Sequence, residues 1–138
     1  MTLTPRRWGC GEQGQLGQRL LPGRERAHLA PTRPLPITTK RKQLQVVGAF
    51  AGSYHSFAKT SDGQVWAFGL NNFGQLGFGD TKDRVLPASV PALRGAGVEA
   101  IDGGEHHSIA LTAEGGVMAW GRADSGQLGL DRGDDGAR

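Results

Sequence analysis

The 138-residue sequence holds one cysteine, one tyrosine and two methionines, and aromatic residues make up only 7% of it. The lone Cys10 excludes an internal disulfide and fits a reducing compartment. No apolar run approaches the roughly 20 residues of a membrane-spanning helix, so no membrane contact is expected. The opening Met-Thr-Leu-Thr-Pro-Arg-Arg has no apolar core of a signal peptide. No window sustains a helical period, which points to an all-β chain. A nucleophile elbow, a His-Glu-x-x-His zinc motif, a cysteine pair and a phosphate loop with lysine are all missing. Covalent catalysis, a cofactor, a metal ion and a small-molecule substrate are therefore not expected.

Charge of one sign is scarce in each half rather than overall. The formal net charge is +3, but residues 1–44 carry nine Lys or Arg against two acids, while 45–138 carry seven against eleven. The first third is basic and the rest acidic, which suits phosphate on one side and a basic partner on the other. Lys40, Arg41 and Lys42 form the densest basic cluster, a candidate phosphate contact.

What the chain has in abundance is glycine, 23 residues of it, placed by a repeat. Residues 52–77 return as 104–129 without a gap: Gly52, His55, Ser56, Ala58, Thr60, Gly63, Val65, Ala67 and Gly69 fall on Gly104, His107, Ser108, Ala110, Thr112, Gly115, Val117, Ala119 and Gly121. Gly-Gln-Leu-Gly occurs at 14–17, 74–77 and 126–129, the later copies bounded by Gly74 and Gly77 and by Gly126 and Gly129. Each repeat alternates with a period of two, as in His-Ser-Phe-Ala-Lys-Thr and Val-Trp-Ala-Phe, around a Ser-Asp-Gly turn. Apolar runs at 44–51 and 98–101 add a strand upstream, and 86–91, with two prolines, reads as an outer strand. Four short strands per repeat of about fifty residues describe a propeller blade.

In chain order, 8–17 is the end of one repeat, 45–80 the first complete core, 98–130 the second, and 131–138 a frayed tail. Residues 18–43 read as a loop with a short edge strand near 33–38. Because propellers need roughly four to eight blades, about two blades plus part of a third read as part of a longer protein. Gly9, Gly11 and Gly14 match a dinucleotide fingerprint, but the strand, helix and later acid it requires are lacking. The repeat explains those glycines: the outer two recur as Gly69 and Gly74 and as Gly121 and Gly126.

His55 and His107 share one repeat position, so their expected role is structural, each donating to nearby backbone. His106 stands where the first repeat has Tyr54. As neighbours on a strand, His106 and His107 point to opposite sides and do not share a metal.

Gly9-Cys-Gly-Glu-Gln-Gly-Gln-Leu-Gly17, Gly69-Leu-Asn-Asn-Phe-Gly-Gln-Leu-Gly77, Gly103-Gly-Glu-His-His107 and Gly121-Arg-Ala-Asp-Ser-Gly-Gln-Leu-Gly-Leu130 resemble the repeats of the regulator of chromosome condensation family, in the order of its middle blades. The resemblance covers about residues 8–130. It implies a seven-bladed β-propeller when complete. It also implies part of a nuclear guanine-nucleotide exchange factor for the small GTPase Ran that contacts histones and DNA. Such an exchange factor acts by differential binding and forms no covalent bond. In the family the turn after the Gly-Gly pair lies on the rim facing Ran. His106 and Tyr54 are thereby implied as Ran contacts, with Glu105 beside them. The family's arginine after the first Gly-Gln-Leu-Gly is replaced by Gln18, which leaves Arg19 as its substitute. The family's wedge-bearing blade has no counterpart in this chain. The other class of function the resemblance allows is a propeller module in a larger protein such as a ubiquitin ligase.

Overall fold

The computed structural model describes residues 9–10, 12–17, 27–28, 37–38 and 43–130. Eleven strands are present among them: β1 Gly9–Cys10, β2 Ala27–His28, β3 Ile37–Thr38, β4 Gln43–Leu44, β5 Val46–Ala51, β6 His55–Thr60, β7 Val65–Gly69, β8 Arg84–Ser89, β9 Val98–Gly103, β10 His107–Thr112 and β11 Val117–Gly121. The expected outer strand is β8, and a short 3-10 turn at Pro91–Leu93 follows it. The apolar run at 44–51 is divided between β4 and β5. The two-residue β3 falls at the end of the stretch expected to hold an edge strand.

The first repeat forms a four-stranded antiparallel meander in the order β5-β6-β7-β8, and the second a three-stranded meander, β9-β10-β11. Two-residue ribbons join β1 to β2 and β3 to β4. The two copies also match in register: His55 pairs with Gly69 in one sheet and His107 with Gly121 in the other. The expectation of four strands per repeat holds for the first, while the second shows three among the described residues. A shared set of hairpin turns closes each meander. Thr60 and Thr112 accept from Gly63 and Gly115, whose positive φ of +83° and +84° suits the turn.

The sheets stack face to face, in the same sense from one repeat to the next. Phe57, Val65, Ala67 and Leu76 of the first repeat pack on Val98, Ile101 and Ala110 of the second, with Met118 and Trp120 alongside. On the opposite face of the first sheet, Ala58 and Phe68 pack on Ile37 and Leu44 of the β3–β4 ribbon. Phe68 and Trp120 hold the same repeat position, so each turns that ring toward the preceding unit. Trp8, which precedes its glycine as Phe68 and Trp120 precede theirs, lies outside the described residues, as do residues 1–7 and 131–138. Burial on both faces explains why β6 has no exposed residue while β10 shows Ile109 and Leu111. These two, with Val117, border an open apolar hollow of about 190 Å³ on the outer face of the second sheet.

Candidate partner-binding rim

The turns before β6 and β10 lie side by side, because Ser53 N–H donates to the Gly104 carbonyl at 3.0 Å. Each turn is pinned from the strand end beside it. Leu70 N–H donates to the Tyr54 carbonyl and Arg122 N–H to the His106 carbonyl, both at 2.9 Å. That approach needs Gly69 and Gly121, with φ of +111° and +106°. A Cβ there would meet the Tyr54 carbonyl at 2.6 Å or the His106 carbonyl at 2.5 Å.

The side chains above these turns form a ladder across the boundary between repeats. Tyr54 stacks on His106 with ring centroids 5.9 Å apart and planes 24° from parallel. Phe73, from the loop after β7, also meets His106, with ring centroids 5.0 Å apart and planes tilted by 53°. The guanidinium of Arg122 sits over Phe73, 5.1 Å from its centroid, and its Nε donates to Asp124 at 2.7 Å. That pair holds the Asp124 carboxyl below its usual range. Glu105 brings a carboxylate 3.6 Å from His106 Nε2 and remains two-thirds exposed. His106 Nδ1 is buried with no hydrogen-bond partner among the described residues.

Beneath the rim, a second set of contacts locks the repeats together. Ser56 Oγ donates to the Gln15 carbonyl and Ser108 Oγ to the Gln75 carbonyl, each at 2.8 Å. Gln15, Gln75 and Gln127 each accept, through Oε1, the N–H of the residue two places earlier, which explains the glutamine of every Gly-Gln-Leu-Gly. Their flanking glycines, Gly74, Gly77, Gly126 and Gly129 among them, all have positive φ. His55 is fully buried, and its Nε2 lies 2.8 Å from Ser108 Oγ. The serine hydrogen is committed to Gln75, so the imidazole Nε2–H is the donor to the serine oxygen. The partner at Nε2 is thus a side chain of the next repeat. Gly52 makes the room, since a Cβ there would run into the His55 ring, and Gly103 lets the Gly52 backbone approach, which a Cβ would meet at 2.6 Å. Burial, and then the charges of His106 and His107, lower the His55 pKa to about 4. Its repeat mate His107 is only half-buried, with the ring against Gly104.

Residues 7–58 and 62–111 match the Regulator of chromosome condensation (RCC1) repeat, and 46–75 and 98–127 match a second description of that repeat. The chain belongs to the regulator of chromosome condensation repeat family. Protein pim1 of Schizosaccharomyces pombe is 44% identical over 129 residues, 89% of this chain and 22% of its own length. The Ultraviolet-B receptor UVR8 of Arabidopsis thaliana is 36% identical over 124 residues, 89% of this chain and 26% of the receptor. The Probable E3 ubiquitin-protein ligase HERC3 of Homo sapiens is 39% identical over 125 residues, 90% of this chain and 11% of the ligase. The solved structure of Prp20p from Saccharomyces cerevisiae, described with its binding properties to Gsp1p and histones, superposes with a TM-score of 0.72. It is 28% identical and covers 92% of this chain and 28% of that one. The fold is thus that of the family's β-propeller, in about two blades. The chain spans roughly a quarter of pim1 and of UVR8.

Of the residues singled out in the sequence, the rim brings together Tyr54, Glu105 and His106. Arg19, Lys40, Arg41 and Lys42 lie outside the described residues. Sequence reasoning missed Phe73 and Arg122. The signal for them was departure from the repeat: Ser125 and Leu70 occupy the corresponding places. A side chain that changes while its neighbours repeat is free of the shared fold.

Proposed function

We propose that this chain is part of an exchange factor for the small GTPase Ran, acting at chromatin in the nucleus, and that it meets Ran through Tyr54, Glu105 and His106. The observation that carries this reading is their convergence on one exposed rim, together with two side chains, Phe73 and Arg122, that the repeat does not require. The similarity to Prp20p, described with binding to Gsp1p and to histones, supports it. The role is one of binding: a rim that holds Ran better in one nucleotide state shifts the occupancy of that state by the difference in affinity alone.

Titrating Ran, emptied of nucleotide, against the chain and its His106→Ala variant tests the reading. An anchor at the centre of a contact costs about 2 kcal/mol when truncated, so affinity should fall at least about tenfold. Unchanged affinity would remove His106 from the interface. The second reading is a propeller module of a larger protein without exchange activity, favoured by the 39% identity to HERC3. Absence of Ran binding by the unaltered chain leaves that reading in place.

A further inference from the structure

The rim ladder runs Tyr54, His106, Phe73, Arg122, and its two ends differ. At the Phe73 end an arginine caps the ring, tethered by the carboxylate of Asp124. At the Tyr54 end no charged group of the described residues lies over the ring. Tyr54 is 38% exposed with His106 stacked on one of its faces. Its hydroxyl has no hydrogen-bond partner among the described residues. The turn beside it carries Glu105, a carboxylate two-thirds exposed. The Tyr54 end therefore offers an exposed ring, and a carboxylate lies against His106, the next ring of the ladder.

We infer that the free face of Tyr54 is the seat for a basic side chain of the protein partner, an arginine before a lysine, with Glu105 as its counter-charge. The inference rests on the partner-binding reading of the rim and names the chemistry that the rim selects. A cation is drawn to the negative face of the ring, and a planar guanidinium stacks on it with little loss of hydration. The charge balance points the same way: residues 45–130 carry five Lys or Arg against eight Asp or Glu. An anionic segment would meet Glu105 and Asp124 and be repelled. Arg122 is held over Phe73 and paired with Asp124, with Glu105 adding to the negative charge around it.

The test titrates a short peptide of alternating arginine and glycine into the full chain and follows the arginine side-chain protons by NMR. Ring current over Tyr54 should move them upfield with the unaltered chain and with Tyr54→Phe, which keeps the ring. With Tyr54→Leu the shift should vanish, and peptide affinity should fall roughly two- to fivefold. Glu105→Gln should weaken the peptide and flatten its salt dependence while leaving the ring-current shift of the bound form. Tyr54 lies on the exposed rim, and circular dichroism of each variant verifies the fold. Equal shifts with Tyr54→Leu, or none with the unaltered chain, overturn the inference. Ran titrated into the same variants separates the two claims. Loss of Ran binding in Tyr54→Leu alongside the peptide shift supports both. A peptide shift in a chain that does not bind Ran sinks the Ran reading and leaves the seat standing.

Discussion

Among single side chains, His55 sets a pH dependence whose sign follows from its burial. Unfolded, its imidazole takes up a proton near the ordinary value of 6.5, whereas folded it does so only near about 4. Between those values the unfolded chain binds more protons, so stability falls as the pH falls. The contribution is complete above about pH 6.5 and gone by about pH 4. A displacement of this size corresponds to roughly 3 kcal/mol. Urea unfolding of the chain across that window should show the loss. His55→Gln, which keeps a donor for Ser108 but does not titrate, should show a clearly smaller one. Equal losses in the two proteins would place the acid sensitivity elsewhere.

At the scale of strands, the seam between the two sheets depends on what meets the Gln75 carbonyl. It accepts from Ser108 Oγ and from Trp120 Nε1, both at 2.8 Å. Phe68 occupies the place of Trp120 in the first repeat and stays buried without a donor, so a plain ring satisfies the packing there. Trp120→Phe should therefore cost only about 1 kcal/mol, the net worth of one hydrogen bond, because Ser108 still satisfies Gln75. Ser108→Ala removes that donor and also strands the buried Nε2–H of His55. It should cost more, about 1–3 kcal/mol. Chemical denaturation of the two variants orders them, and an inverted order would contradict the shared-carbonyl account.

At the scale of the molecule, one sheet face lacks a cover among the described residues. Ile109 and Val117 hold the repeat positions of Phe57 and Val65, which the second sheet buries, yet they are 42% and 64% exposed. Leaving a large apolar side chain in water forgoes about 1.5–3 kcal/mol, against whole-domain stabilities of about 5–15 kcal/mol. The stability of stacked repeats resides largely in their interfaces. The 138-residue chain by itself is therefore expected to be marginally stable or to self-associate. Sedimentation and thermal melting at two concentrations test this. A sharp, concentration-independent transition from a monomer would contradict it.

The repeat made much of the fold legible in advance. Period-two alternation, hairpin turns with glycine after them, and a shift of 52 residues specified strands, meanders and equivalence between the sheets. Tyr54, Glu105 and His106 were legible by resemblance, as a turn that varies between two invariant neighbours. Phe73 and Arg122 were not, because each sits in a loop whose local pattern is satisfied without it. The acceptor of His55 was also hidden, since Ser108 lies 53 residues away and only stacking brings it to 2.8 Å. What the sequence alone determined was the unit, since turn geometry and strand alternation are local and repeat with the residues. Only the tertiary structure decided which rings share a rim and which face remains open. Those depend on how one sheet lies against the next, where distance along the chain carries no information about distance in space.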